Sequence, residues 1–300
     1  MKLCQAFAVE DLEAKGLLNM SSLTIVAEGL SFPEGPRWHD GAFYFSDFYQ
    51  HSVFRIGQTG ALETVAEVPN QPSGLGWLPD GRMLIVSMTD RKLLCQEADG
   101  SLSEHADLSA LATSYCNDMV VDGEGGAYVG NFGFNRHAGE DPRDADLIRV
   151  STHGEVSVAA AGLAFPNGSV ITPDGKTLVV GETQGKRLSA WDIAGDGSLS
   201  NRRIWADLGE NFPDGICLDA AGAIWVADPR NNETIRVAEG GEVLERLSTG
   251  DRGSFACMLG GADRQTLYIC TCTGSGPHAA ERRNGRIETI HVSVPGAGHP

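Results

Sequence analysis

Basic residues are scarce in this 300-residue sequence: 23 Lys and Arg stand against 40 Asp and Glu, giving a formal net charge of −17. Nucleic acids and anionic membrane surfaces are bound through basic patches, so neither is an expected partner. Long hydrophobic runs are missing too. No segment approaches the roughly 18 consecutive apolar residues that a membrane-spanning helix needs. We therefore expect no membrane span.

We expect neither a disulfide framework nor a secretory leader. The chain has 7 cysteines, an odd number scattered through apolar, strand-like runs, where free cysteine behaves as a small buried hydrophobe. The N-terminal segment MKLCQAFAVEDLEAKGLLN carries acidic side chains where a secretory signal needs an apolar core. These features predict a cytoplasmic protein with reduced thiols.

Glycine, in contrast, is abundant, with 38 residues, about twice its usual share of roughly 7%. The glycines recur in DG, GG and GE pairs between short apolar runs. Many tight turns between short strands indicate an all-β fold.

One type of segment recurs six times: small or polar residues, then an acidic or glycine turn, then an apolar strand. The six segments are FPEGPRWHDGAFYFSD, QPSGLGWLPDGRMLIVS, YCNDMVVDGEGGAYVGN, FPNGSVITPDGKTLVVGE, FPDGICLDAAGAIWVAD and FACMLGGADRQTLYICT. Aligning them, with steps of 39 to 50 residues, places six residues at one equivalent position: Glu34, Ser73, Asn117, Asn167, Asp214 and Ala256. A repeat of roughly 40–50 residues suits a four-stranded propeller blade.

We therefore predict a six-bladed β-propeller with four antiparallel strands per blade. Residues 1–20 are expected to form an N-terminal extension, and residues 21–300 a single propeller domain. The segment 21–30 is expected to pair with the last blade as an outer strand and so close the ring. A two-sheet sandwich also has many short strands, but it gives no reason for one motif to repeat six times.

The first strand of each propeller blade lines the central channel, so the aligned residues form a ring. Four of them carry oxygen donors: Glu34, Asn117, Asn167 and Asp214. Carboxylates gathered where water is scarce are unfavourable unless a cation binds. Hard oxygen donors without His or Cys suit Ca²⁺, Mg²⁺ or Mn²⁺. The alternative is that these side chains cap the strand starts, but four in one register favour the metal.

No serine-hydrolase signature accompanies the ring. The sequence contains no G-x-S-x-G elbow and no histidine at a ring position, which argues against a Ser triad. The second strands end instead in polar or acidic residues. Of these, Asp47 and Asp228 are expected to anchor ring residues, with turn capping as the alternative. His137, which follows the run GNFGFN, is expected near the pocket.

The strings FPEGPRW, CNDMVVDGEG, FPNG, TPDGKTLVV and FPDGICLDAAGAIWVAD resemble the senescence marker protein/gluconolactonase/luciferin-regenerating enzyme family. The resemblance covers nearly the whole chain from about residue 25. It implies a six-bladed propeller that holds one divalent metal through Glu34, Asn167 and Asp214. Asn117 would lie beside the metal and orient substrate or a bound water. Calcium is the expected ion, with zinc, magnesium, manganese and iron as alternatives.

One position departs from the family pattern. Sugar-lactonase members carry an arginine two residues before the ND asparagine, where it contacts substrate hydroxyls, and here that position is Tyr115. We therefore expect a more apolar substrate pocket, with Asn117 and Asn131 as its polar contacts. The aromatic residues expected in its wall are Phe48, Tyr49, Tyr115, Phe132, Phe134 and Phe255.

The predicted activity is metal-assisted hydrolysis of a small lactone or ester, with Asp214 as general base or nucleophile. The only partner expected is the small-molecule substrate. Two alternatives use the same scaffold: a phosphotriesterase-like hydrolase, and a strictosidine-synthase-like condensing enzyme, against which the ligand set argues. A non-enzymatic propeller that binds protein partners is the third alternative, although it has no need of four oxygen donors in its channel.

Overall fold

The computed structural model describes residues 23–57, 59–135 and 138–299, so the expected extension 1–20 and His137 lie outside it. The described residues form six antiparallel four-stranded sheets. The first strands of neighbouring sheets contact one another in a closed series around a central channel. This arrangement is a six-bladed β-propeller, which confirms the predicted fold class. No helix in the described ranges has the length and apolar character needed to cross a membrane.

In each blade, the strands follow one another outward from the channel. Blade one consists of β2 (Pro33–His39), β3 (Ala42–Asp47), β4 (Ser52–Ile56) and β5 (Leu62–Glu67). Blade two consists of β6 (Pro72–Trp77), β7 (Met83–Ser87), β8 (Lys92–Gln96) and β9 (Leu102–Asp107). Blade three consists of β10 (Cys116–Val121), β11 (Ala127–Asn131), β12 (Ala145–Val150) and β13 (Val156–Leu163).

The remaining blades repeat this order. Blade four consists of β14 (Pro166–Ile171), β15 (Thr177–Glu182), β16 (Arg187–Ile193) and β17 (Leu199–Asp207). Blade five consists of β18 (Ile216–Leu218), β19 (Ile224–Asp228), β20 (Glu233–Val237) and β21 (Val243–Ser248). Blade six consists of β22 (Gly253–Gly260), β23 (Thr266–Cys272), β24 (Gly285–His291) and β1 (Thr24–Leu30), and a short helix α1 (His278–Arg282) precedes β24.

The ring is closed by the strand that comes first in the described chain. Strand β1 pairs antiparallel with β24, with Thr24 opposite Thr289. The expected closing strand is therefore confirmed, and it gives blade six its fourth strand. Near the other end of the described chain, His299 forms a bridge with Ile171 and Gly296 forms one with Asp219, beside the ends of the first strands of blades four and five. The two ends together tie blades four, five and six into the ring.

Apolar side chains fill the spaces between neighbouring blades. Val53 of blade one packs in one cluster with Leu75 and Ile85 of blade two, and all three are fully buried. Val179 of blade four and Val226 of blade five share a second cluster. Each blade therefore buries both of its faces against its neighbours, which is why its strands read as short, nearly continuous apolar runs.

Hydrogen bonds between first strands correct the alignment of the sixth segment. The Gly168 N–H donates to the Asp214 carbonyl oxygen at 3.1 Å, and at the next step of the ring the Gly215 N–H donates to the Phe255 carbonyl oxygen at 2.8 Å. Phe255 therefore occupies the ring position in blade six, and the prediction of Ala256 is wrong. The segment FACMLGG lacks the proline and glycine that mark the register in other segments.

The glycine after each FP-x string lies where two first strands approach most closely. A Cβ atom at Gly168 would lie 2.5 Å from the backbone nitrogen of Ile216. One at Gly35, where φ is +55°, would lie 2.6 Å from the carbonyl oxygen of Ser73. Such contacts are too short for a side chain, so a larger residue would push neighbouring blades apart.

We expect Gly168→Ala to lower the free energy of unfolding by about 1–3 kcal/mol, the usual cost of overpacking a close contact. Urea denaturation of the purified protein measures this. Gly195→Ala is the matched control, because a Cβ there would meet nothing within 4 Å. Equal stability of the two variants would show that the first strands tolerate the added methyl group.

Candidate functional site

A cavity that encloses about 540 Å³, including its open mouth, lies at the end of the channel where the first strands begin. The four oxygen-bearing ring residues all line it: Glu34, Asn117, Asn167 and Asp214. The structure therefore brings together the four side chains that the repeat alignment placed in one ring. Their roles as ligands or catalytic groups remain predictions. We refer to this space as the aromatic cavity, because of the rings that form its wall.

The carboxyl group of Glu34 lies in a buried, electrostatically unfavourable position. The residue is 8% exposed, and the Gly35 N–H donates a hydrogen bond of 3.0 Å to Oε2. Burial, and then the negative charge of Asp214, raise the pKa of Glu34 well above its usual value. Two neighbouring carboxylates disfavour double ionisation unless a cation offsets their charge. The pair is thus suited to a bound cation.

Asn167 is oriented by a short chain of hydrogen bonds. Its Nδ2 donates to Thr183 Oγ1 at 3.2 Å, and that hydroxyl donates to the Pro213 carbonyl oxygen at 2.6 Å. Because the amide nitrogen is directed to Thr183, the amide oxygen is the atom of Asn167 that can coordinate a cation. Pro213 immediately precedes Asp214, so the same chain links the strings that carry these two ring residues.

The donor set at the ring fits a hard divalent cation. Two carboxylates and two carboxamides supply oxygen ligands of the kind that Ca²⁺ and Mg²⁺ prefer, and no thiolate or imidazole belongs to the ring. In the part of the chain that the structure describes, no three His, Cys, Asp or Glu side chains gather to hold a metal. An ion here would therefore depend on the amide oxygens as well as on Glu34 and Asp214.

Aspartates at the ends of second strands hold the segments in front of two ring residues. Asp47 accepts hydrogen bonds from the N–H groups of Ser31 (2.7 Å) and Phe32 (3.1 Å), just before Glu34 in the chain. Asp228 accepts one from the N–H of Phe212 at 3.0 Å, just before Asp214. Both carboxylates are fully buried. The same carboxylates also cap their own turns, through the N–H groups of Gln50 and Asn231, so both the anchoring of backbone before the ring and the turn-capping alternative are observed.

Glu182 holds the segment in front of Asn167 in the same way. Its carboxylate accepts hydrogen bonds from the Ala164 N–H (2.8 Å), from Arg187 Nη2 (2.8 Å) and from Arg202 Nη2 (2.9 Å). Burial raises the pKa of Glu182, but the hydrogen bonds that it accepts outweigh burial and lower the pKa to about 2. A carboxylate whose pKa is depressed in the folded state stabilises the fold wherever it is ionised.

Beneath the ring, a buried ion pair crosses the channel. Arg37 is 3% exposed, and its Nη2 lies 2.6 Å from the Asp118 Oδ1. The Arg37 Nε also donates to the Leu75 carbonyl oxygen at 2.9 Å. One guanidinium thus joins blades one, two and three below the aromatic cavity. The sequence analysis missed this pair, although the position of Arg37 and Asp118 inside two buried first strands was the available signal.

Seven aromatic residues form most of the cavity wall. They are Phe32, Phe48, Tyr49, Tyr115, Phe132, Phe165 and Phe255. Phe32 packs against Phe255 with ring centroids 4.7 Å apart, and Phe132 stacks on Phe165 at 4.8 Å. The sequence analysis missed Phe32 and Phe165, although both precede proline in an FP-x string, at the register of Tyr115. It also missed four smaller contributions: Gln71, Met88, Ser275 and Gly276.

Two predicted substrate contacts lie outside the aromatic cavity. Asn131 is fully buried, and its Nδ2 donates to the Asp146 carbonyl oxygen at 2.8 Å while its Oδ1 accepts the Gly133 N–H at 3.0 Å. It lies at the end of a second strand, as the anchoring carboxylates do, and serves the backbone. Phe134 lies edge-on to Phe165, with centroids 6.1 Å apart, and lines a neighbouring compartment.

Comparison with known proteins gives consistent matches over most of the chain. A family model described as the SMP-30/gluconolactonase/LRE-like region matches residues 32–273. A pentonolactonase of Haloferax volcanii is 26% identical over 87% of this chain and 88% of its own. A 6-deoxy-6-sulfogluconolactonase of Pseudomonas putida is 23% identical, over 94% and 99%. The solved structure of regucalcin from Agrobacterium tumefaciens, described as a calcium-binding protein, shares the fold, with a TM-score of 0.79, 21% identity and coverages of 93% and 96%.

We expect Glu182→Gln to lower the free energy of unfolding by on the order of 3 kcal/mol near neutral pH, since a pKa of about 2 lies roughly two units below that of an unfolded glutamate. The stabilisation is fully present above about pH 4.3 and is lost as the pH falls toward 2. Urea denaturation of both proteins near pH 7 and near pH 3 measures the change. Glu210→Gln is the control, because Glu210 pairs with Lys186 while 92% exposed. A deficit that does not shrink in acid would contradict the prediction.

Proposed function

Because the chain belongs to the SMP-30/gluconolactonase/LRE-like family, we propose that it hydrolyses a small lactone in the aromatic cavity with the help of one divalent cation. Lactone hydrolysis is supported by relatives that are named lactonases. The observation that carries the proposal is the convergence of Glu34, Asn117, Asn167 and Asp214 in one aromatic-walled cavity. A protein-docking face has no need of buried oxygen donors, which disfavours a non-enzymatic propeller.

The proposed ligands of the cation are Glu34, Asn167 and Asp214, with Asn117 beside it. When bound, the cation supplies electrophilic polarisation of the lactone carbonyl and stabilises negative charge on its oxygen. Calcium suits a set of hard oxygen donors, and the structure of the same fold from Agrobacterium tumefaciens is described as a calcium-binding protein. Zinc, magnesium, manganese and iron are the alternatives.

Asp214 is the proposed catalytic residue. Its backbone is held from both sides, because its N–H donates to the Ala227 carbonyl oxygen at 2.9 Å and its own carbonyl oxygen accepts the Gly168 N–H at 3.1 Å. As general base, its carboxylate takes a proton from water as that water attacks the lactone carbonyl. The ring C–O bond then breaks, the alkoxide takes a proton, and a hydroxy acid leaves. Direct attack by the carboxylate, followed by hydrolysis of the acyl-enzyme, is the other route.

We expect Asp214→Ala to lower kcat for a simple lactone at least about a hundredfold while the propeller remains folded, because general-base catalysis contributes roughly 10²–10⁴. Untagged wild-type protein should contain one divalent ion per chain by elemental analysis and lose activity on chelation. Asp107→Ala is the control, because Asp107 is exposed on an outer strand. An organophosphate triester in the same assay tests the phosphotriesterase alternative.

Three results would contradict this proposal. One is that Asp214→Ala keeps more than about a hundredth of the wild-type kcat, because loss of a general base should lower kcat by more than that. Another is the absence of stoichiometric metal together with no gain of activity when ions are added. The third is a higher kcat/KM for the organophosphate triester than for every lactone assayed.

We expect an apolar γ- or δ-lactone to exceed glucono-δ-lactone in kcat/KM by at least about tenfold, which requires about 1.4 kcal/mol. Apolar surface would be buried against Tyr115, Phe132 and Phe165, whereas sugar hydroxyls left unpaired cost about 1–3 kcal/mol each. Parallel assays at one pH and one metal concentration measure the ratio, and Tyr115→Arg should reduce it. Because two relatives are named for sugar-derived lactones, faster hydrolysis of glucono-δ-lactone is the outcome that would refute the argument.

A further inference from the structure

A second compartment adjoins the aromatic cavity. It encloses about 1220 Å³, including its open mouth. Both spaces are lined by the same five residues: Phe165, Asn167, Asp214, Phe255 and Ser275. A ligand whose reacting carbonyl lies at Asp214 can therefore extend in two directions, into the aromatic cavity or into the second compartment.

Arg230 lines the second compartment. It lies two residues beyond the end of β19, and its backbone N–H donates to the Asp228 Oδ1 at 2.9 Å. The other oxygen of that carboxylate accepts the Phe212 N–H at 3.0 Å. One buried aspartate thus fixes the turn that carries Arg230 relative to the string that carries Asp214. The Arg230 guanidinium lies over the Phe212 ring, 5.6 Å from its centroid.

The guanidinium of Arg230 lacks a carboxylate partner within the described ranges, unlike Arg37, Arg149 and Arg236, each of which forms an ion pair. Lys186 contacts the same Phe212 ring at 4.7 Å, but Glu210 neutralises it at 2.9 Å. In a chain with a net charge of −17, carboxylates are plentiful. Asp214 also lines this compartment, but Arg230 forms no ion pair with a described carboxylate, so its planar set of donors is available to a ligand.

We propose that Arg230 binds an anionic substituent of the substrate (a carboxylate, sulfonate or phosphate group) in the second compartment while the lactone carbonyl lies at Asp214. This inference rests on the proposed function and specifies the substrate class: a small lactone with an acidic group on a carbon away from its carbonyl. The Phe212 ring holds the guanidinium in place by a cation–π contact. The anion then accepts hydrogen bonds from the donors of the Arg230 guanidinium.

The test uses two lactones that differ in the charge of one substituent, the γ-carboxylate of γ-butyrolactone and its methyl ester. We expect Arg230→Met to lower the carboxylate-to-ester ratio of kcat/KM at least about tenfold, the size expected for a lost charge-assisted hydrogen bond. The loss should appear mainly in KM and diminish as ionic strength rises. Lys186→Met is the matched control, because it removes a cation from the same Phe212 ring but leaves the unpaired Arg230 guanidinium in place. It should leave the carboxylate-to-ester ratio of kcat/KM unchanged.

A binding measurement separates this inference from the proposed function. Calorimetry with the corresponding cyclopentanone carboxylate and its methyl ester, which have no ring ester bond, should show a selective loss of carboxylate affinity in Arg230→Met. Equal effects of Arg230→Met on both members of each pair would overturn the inference while leaving the lactonase proposal intact. If no protein hydrolyses either lactone but the ketone pair shows the selective loss, the proposed function fails and the anion site stands.

Discussion

The close approach of six first strands around one channel is the constraint on which this molecule depends. Backbone hydrogen bonds pass directly from one first strand to the next, as from Gly168 to Asp214 and from Gly215 to Phe255. Only glycine allows such contact at Gly168, where a Cβ would lie 2.5 Å from a neighbouring backbone nitrogen. The same approach gathers one residue from each blade into a ring, so the geometry that packs the propeller also assembles the candidate site.

That geometry buries carboxyl groups close to one another, which is electrostatically unfavourable, and charged residues also surround the ring. Glu34 lies beside Asp214, and burial together with that neighbouring charge raises the pKa of Glu34. Below the ring, Arg37 pairs with Asp118, which places one buried charge of each sign there. Around it, buried carboxylates such as Asp47 accept backbone N–H groups and hold the ring strings in place. The charged form of Glu34 stays disfavoured even with Arg37 nearby, which is the condition that a cation would relieve.

Much of the site was predictable because the sequence repeat places the ring residues at equivalent positions. The shared strings FPEG, FPNG and FPDG locate Glu34, Asn167 and Asp214 at one register, and the structure places all three on one cavity. The sixth segment lacks these markers, and there the alignment failed by one residue. The prediction that Asn131 contacts substrate failed for a different reason. A polar residue at a strand end can bind a ligand or the backbone, and here the amide nitrogen and the amide oxygen of Asn131 both bind backbone groups.

The sequence by itself determined the number of blades, the strand that closes the ring and the four oxygen-bearing ring residues, because each is encoded in local patterns of turn glycines and short apolar runs. The tertiary structure alone decided which residues from distant segments meet. The ion pair of Arg37 with Asp118 joins residues 81 positions apart, and the cavity wall combines Phe32 with Phe255. A periodic pattern fixes which face of a strand is buried, but the contacts across the channel depend on how all six blades close around it.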